Sequence, residues 1–276
     1  MTDFSNDTNH PKSTIDQLFR LDGRVAVVAG GAGRIGRAVC DALAGAGAKV
    51  CVMDIDERAA RDLAAELKDL HGEETLPAVV DTTNEGSLNE GVREIETKLG
   101  APSILVNSTQ FRGKGFYSSD VSEYPREAWD LVMNANLTGV YLTCQAIGRA
   151  MIEHGGGSIV NLSSTYGVVS ADPRIYGTSG VNSPVSYAAS KAGVINLTRY
   201  LAIHWREKNI RVNCLVPGGV FDNQGDEFVR EYCARTPLGR MAKAEDYQGA
   251  VLFMASQASS YMTGSVVTVD GGWTAW

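Results

Sequence analysis

The 276-residue chain has no apolar run near the roughly 20 residues needed to span a bilayer, so no membrane-spanning helix is expected. It has no basic surplus either. Its 25 Lys and Arg stand against 32 Asp and Glu, a formal net charge of -7. That balance repels phosphate backbones, and no basic stripe offsets it, which argues against a nucleic-acid partner. The five cysteines, at 40, 51, 144, 214 and 233, are odd in number and form no Cys-x-x-Cys pair. They read as free, mostly buried thiols in a reducing compartment, with no disulfide framework and no metal site. The N-terminus carries Asp3, Asp7 and Asp16 without an early basic cluster or an apolar h-region, unlike a secretory signal. Cytoplasmic localisation is the expectation. Proline is scarce, with 8 residues, while 44% of the chain is apolar, which excludes large-scale disorder and suffices for one large core.

What is present is a repeating alternation. Residues 1–21 read as a polar leader, in which Ile15, Leu18 and Phe19 form one short turn. Short Val- and Ile-rich runs then recur at Val25–Ala29, Lys49–Met53, Leu76–Val80, Ile104–Asn107, Ser158–Leu162, Arg211–Leu215 and Val266–Val269. Between them lie stretches of helical period, including Glu57–Leu70, Leu88–Leu99, a long region Ala128–Met151 and residues 187–207. The strands lack polar alternation, as strands do when helices cover both faces of a parallel sheet. The expected fold is α/β, a single doubly wound Rossmann-type domain over 22–276 with seven parallel strands.

The first strand ends in Gly30, and Gly31-Ala32-Gly33-Arg34-Ile35-Gly36 opens the next helix. A GxGxxG in this context allows a tight turn and lets backbone N–H groups approach a pyrophosphate. Asp54 ends the second strand, 18 residues past Gly36. A carboxylate there accepts ribose hydroxyls and repels a 2′-phosphate, favouring NAD over NADP; the plainer alternative is a cap for the following helix. Arg34 pulls the other way, since a guanidinium beside this turn can reach a 2′-phosphate. Asp81 falls where an adenine edge would pass, or caps a turn.

Tyr187-Ala188-Ala189-Ser190-Lys191 sets a phenol and an ammonium on one helix face, just after a strand ending in Ser163-Ser164. A phenol with an ordinary pKa of about 10 is a poor base near neutrality, but the neighbouring Lys191 ammonium and a bound oxidised nicotinamide would both favour its ionised form. Tyr187 can then remove a hydroxyl proton while Ser164 holds the substrate oxygen.

With these residues in place the sequence resembles a classical short-chain dehydrogenase/reductase from about residue 21 to 272. The motifs that carry the resemblance include Gly30 to Gly36, Trp129-Asp130 with Asn136-Leu137, Ser158 to Ser164, Tyr187 with Lys191, Ile210 to Asn213, Pro217-Gly218 and Val269 to Gly272. The resemblance implies sheet order 3-2-1-4-5-6-7 and self-association as a homotetramer or homodimer. It makes Asn136 the support for a proton-relay water, Ser164 the substrate-oxygen donor, Tyr187 the acid or base, and Lys191 the nicotinamide-ribose ligand. It further puts Gly30, Gly31, Gly33, Arg34, Ile35, Gly36, Asp54, Asp81, Asn107, Tyr187, Lys191, Pro217, Gly218 and Val220 at the cofactor. The sequence departs from the family at Ala29 and Arg34, at Ser108-Thr109-Gln110 after the fourth strand, and at Asp222, which would sit badly beside a phosphate.

Ser164 and Tyr187 are 23 residues apart, more than is usual in that family, so a loop over 170–183 should overhang the site. With the segments 110–124 and 221–236 it suggests a polar wall holding several cations, among them Lys114. Gln110, Arg112, Arg174, Tyr176 and Gln224 are the substrate candidates. Arg112, Lys114 and Arg174 have solvated surface charges as their plain alternative. A small polar substrate follows, such as a sugar, a sugar acid or a polyol. The competing functions are an NADPH-dependent ketone reductase and a nucleotide-binding scaffold without turnover. Trp273 and Trp276 need a surface, either a neighbouring subunit or the chain's own body.

Overall fold

In a computed structural model, residues 14–113, 116–117, 120–179 and 182–276 are described. Seven strands form one parallel sheet in the order β3-β2-β1-β4-β5-β6-β7. They are β1 (Val25–Ala29), β2 (Lys49–Asp54), β3 (Thr75–Val79), β4 (Pro102–Asn107), β5 (Gly157–Leu162), β6 (Ile210–Pro217) and β7 (Val266–Val269). A short α1 (Ile15–Phe19) precedes the sheet, begun by a capping box between Thr14 and Gln17. Pairing is in register along β1 and β2, from Val25 opposite Lys49 to Ala29 opposite Met53.

The inner strands alternate their apolar residues between two cores. Val25, Val27 and Ala29 face a core shared with α4 (Glu85–Lys98), α6 (Gly139–Glu153) and α7 (Val185–His204). Ala26 and Val28 face the other core, with α2 (Arg34–Gly45), α3 (Glu57–His71) and α9 (Gln248–Ala255). Both strand faces are therefore buried, which is why these strands read as unbroken apolar runs. The order reverses between β1 and β4, and that reversal opens a crevice at the strands' C-terminal ends.

The long helical region expected over Ala128–Met151 is present, running from Arg126 to Glu153, but it contains a π-helical turn. After α5 (Arg126–Met133) comes a π-helical turn, Asn134–Thr138, whose Gly139 N–H reaches back to the Asn134 carbonyl. One extra residue in the turn rotates the chain, a feature that hydrophobic period does not register. The remaining helix, α8 (Asp226–Arg235), lies beyond β6. The five cysteines are free, four of them buried and Cys233 partly exposed.

Candidate active site

A cavity of about 1270 Å³ occupies the crevice. Its nucleotide end is built from close backbone contacts. Gly30 has φ +72°, and a Cβ there would lie 2.9 Å from the Ser108 backbone. A Cβ on Gly36 would lie 2.1 Å from the Gly30 carbonyl oxygen. Gly31 and Gly36 do not line the cavity; they serve by letting the turn close, while Gly30, Gly33 and Ile35 face the space. Gly33 caps α2 without a side-chain bond, and the first turn holds no acidic residue. The open N–H groups and the positive end of the helix suit a pyrophosphate.

Asp54 enters the cavity half-buried, accepting the Ala32 N–H at 3.0 Å and the Asp56 N–H at 3.2 Å. The cap of α3 is Asp56, bonded to the Ala59 N–H, so capping does not account for Asp54. Arg34 pairs with Asp222 and donates to the Phe221 carbonyl, turning its charge toward the 221–222 loop and away from Asp54. That pairing also explains how Asp222 is tolerated beside the glycine turn. Asp81 lines the cavity while holding the Thr83 amide and hydroxyl in a turn. Pro217, Gly218 and Val220 form the facing rim. Asn107 is placed differently from the expectation. Its side chain is buried inside the sheet, donates to Asn161 at 2.8 Å and does not reach the cavity. These elements fit a nicotinamide dinucleotide.

The reacting end gathers Ser164, Tyr187 and Lys191. Ser164 lies close enough to the Tyr187 phenol to favour its ionised form, and its Oγ accepts the Tyr166 N–H at 3.2 Å. Lys191 is 3% exposed, its Nζ donates to the Leu162 carbonyl at 3.1 Å, and it sits 5.8 Å from the centre of the Tyr187 ring. Burial lowers Lys191 from 10.5 to about 8. Burial also raises the Tyr187 phenol, against the lowering pull of Ser164 and Arg112. The expected phenolate is thus not a property of the protein alone: desolvation outweighs the nearby cations. Asn136 is fully buried in the π turn. Its Oδ1 accepts the Phe111 N–H at 2.8 Å, its Nδ2 has no partner among the described residues, and it does not line the cavity.

The substrate wall differs most from expectation. Gln110, Arg112, Tyr176 and Gln224 line it, although Gln224 is engaged with the Asp222 N–H and the Val220 carbonyl. Arg174 does not line it; the side chain is largely exposed and bonded to Asp172. Lys114 lies outside the described residues. In place of several cations the wall carries rings: Phe116, Tyr117, Tyr166, Phe228 and Tyr232, with Glu227 opposite Arg112's charge type. Sequence reasoning missed these rings, which come from three separate segments. One signal was available, since Phe228 and Tyr232 are four apart on a helix. Tyr232 is held in place: its hydroxyl accepts the Gly219 N–H at 2.6 Å and its ring stacks on Trp273 at 4.3 Å. Trp273 thus packs onto its own chain, whereas Trp276 stays 80% exposed. The 170–183 loop is pinned by Arg235, which bonds both Asp172 and Glu231 at 3.0 Å.

A doubly wound sheet, a glycine cradle and a Ser–Tyr–Lys grouping at one crevice define a dinucleotide-dependent oxidoreductase. A family model described as Enoyl-(Acyl carrier protein) reductase matches residues 30–274, and the chain belongs to the classical short-chain dehydrogenase/reductase family. It is 36% identical over 265 residues to galactitol 2-dehydrogenase (L-tagatose-forming) of Cereibacter sphaeroides, covering 94% of this chain and 98% of the relative. It is 37% identical over 258 residues to the 3-oxoacyl-[acyl-carrier-protein] reductase FabG of Thermotoga maritima, covering 92% and 99%. Among solved structures, a gluconate 5-dehydrogenase from Burkholderia cenocepacia in complex with NADP and tartrate superposes with a TM-score of 0.85 at 31% identity, covering 95% and 100%.

Proposed function

We propose that the protein is an NAD-dependent dehydrogenase interconverting a secondary alcohol and a ketone on a polyol, sugar or sugar acid. The observation that carries the chemistry is the convergence of Ser164, Tyr187 and Lys191 at the floor of the cavity. Asp54 supports NAD, because its carboxylate is held in the cavity by two backbone N–H groups and is left uncompensated by Arg34. A bound oxidised nicotinamide would supply the hydride acceptor and a positive charge that favours the Tyr187 phenolate. The Ser164 hydroxyl holds the substrate oxygen, and the Tyr187 oxygen takes its proton. Lys191 keeps an ammonium against the phenol's ring while its Leu162 bond fixes it in place. Asn136 holds the 111 backbone and thereby positions the wall segment that carries Arg112. Tyr117, Tyr166 and Tyr176 offer hydroxyls beside flat apolar faces, and exposed Arg112 offers a carboxylate partner, a lining suited to a hydroxylated chain. Self-association into a dimer or tetramer in the cytoplasm completes the reading.

The test is initial rates with NAD and NADP on polyols, sugar acids and 3-oxoacyl thioesters. Reduction of NAD by a polyol or sugar acid is expected, and Tyr187→Phe should lower kcat by about 10³ while leaving NAD affinity within about twofold. Turnover confined to thioesters with NADPH would sink the substrate and cofactor assignment; folded protein that binds NAD but turns over none of the panel would make it a scaffold.

A further inference from the structure

The dehydrogenase reading leaves the opposite end of the sheet unused. There a second cavity, of about 350 Å³, opens among the strands' N-terminal ends. Arg24 leads into β1, Ser103 lies in β4, and Arg211 lies in β6. Arg24 Nε donates to Ser103 Oγ at 2.7 Å and its Nη2 to the Ser103 carbonyl at 3.2 Å. Arg211 donates to the carbonyls of Met262, Met254 and Ser256 at 3.2, 3.1 and 3.0 Å. Every one of these acceptors is neutral. Among the described residues neither guanidinium has a carboxylate partner, and Arg24 Nη1 and Arg211 Nε remain without a protein acceptor.

Both arginines are half-buried. Burial works against each charge, and Arg24 works further against Arg211. Two like charges share a partly dehydrated space in a chain whose net charge is -7. The Met254 and Ser256 carbonyls at the C-terminal end of α9 offset part of the Arg211 charge, but among the described residues no carboxylate cancels either guanidinium, and a partly compensated cation out of water remains costly. An oxyanion with several acceptor oxygens supplies what is missing, since guanidinium forks match phosphate and carboxylate geometry. The rim limits its size. His154 stands there with the Glu96 carboxylate 3.5 Å from its ring, and Gly156, at φ +108°, packs so tightly on Asn209 that a Cβ would lie 2.1 Å from that carbonyl oxygen.

We propose that this cavity binds a small polyvalent oxyanion, a phosphate or a compact polycarboxylate, between Arg24 and Arg211. Titration of the full-length protein with inorganic phosphate or citrate, in saturating NAD and at constant ionic strength, tests it by calorimetry and by thermal shift. Saturable binding of one of them at about one site per chain is expected, and which one binds distinguishes phosphate from carboxylate chemistry. Arg24→Met should weaken it at least tenfold. Gln257→Glu, an exposed rim change that touches none of the arginine bonds, should weaken it as well. No saturable binding of either anion overturns the proposal. So does binding that both variants retain at wild-type affinity, or that NAD abolishes, because the ion would then occupy the nucleotide cradle.

Discussion

The two ends of the main cavity are made in opposite ways. The nucleotide end is almost entirely backbone: Gly30, Gly33 and the first turn of α2, with one carboxylate, Asp54, added from the next strand. These parts come from a continuous β1–α2–β2 stretch, with Asp81 after β3 and the Pro217, Gly218 and Val220 rim after β6 added to them. The substrate end is side chain, drawn from the segments near 110–117, 164–187 and 224–241. Its loops are tied by particular long-range bonds, such as Arg235 to Asp172 and the Tyr232 hydroxyl to Gly219. A backbone cradle tolerates little change because its tolerance is steric. A side-chain wall can be rewritten residue by residue, since each group contributes separately.

That contrast breaks most sharply at Lys191, which belongs to both ends. Lys191→Met should lower kcat by about 10³. It should also stabilise the fold near pH 7, because a buried charge is removed. Folded Lys191 titrates near 8 and the unfolded side chain near 10.5. Between those values the unfolded chain holds more protons, so wild-type stability should rise with pH across that window, by on the order of 3 kcal/mol, and the variant should lose the slope. Chemical denaturation from pH 7 to 10.5 measures it; a steeper slope in the variant would contradict the burial argument. Gly36→Ala comes next. The backbone oxygen 2.1 Å from the new Cβ must move, so NAD affinity should fall about 100-fold with about 2 kcal/mol of stability. Wild-type NAD binding by the variant would show the cradle to be more pliant than described.

At the substrate end the effects should be smaller and selective. Arg112→Ala should raise KM about tenfold for a sugar acid and leave a neutral polyol unaffected, as expected when one charge-assisted bond is lost. Equal losses on both substrates would assign Arg112 to structure. The smallest effect is expected at Arg235→Gln, which frees one corner of the 170–183 loop. A loss of about 1 kcal/mol, read as a few degrees in Tm, should accompany a raised KM with little change in kcat. Asp172 is held below the usual carboxylate range by Arg174 and Arg235, so the wild-type loop should loosen only in acid, as that carboxylate protonates.

Legibility followed the same division. Val25–Ala29 was legible to the residue because a doubly covered strand is an apolar run, here bounded by Arg24 and Gly30, and the edge strand Val266–Val269 was legible from its valines before Asp270. The glycine turn and the Tyr187–Lys191 pair were legible because each is a local pattern whose spacing carries its geometry. Asn107 misled because its neighbour in space, Asn161, is 54 residues away. Arg174 misled because a loop position does not say which way its side chain turns; here Asp172 draws it outward. The ring-lined wall stayed hidden because Phe116, Tyr166 and Phe228 share no periodicity.

The amino-acid order alone therefore determined the seven-stranded framework, the glycine turn and the one-turn spacing of Tyr187 and Lys191, since burial, glycine stereochemistry and one helical turn act over neighbouring residues. Only the folded chain decided where Arg34 spends its charge, which rings face the substrate and how far Lys191 and Tyr187 are shifted. Those outcomes depend on distance, burial and partner choice between segments that meet only after the sheet has assembled.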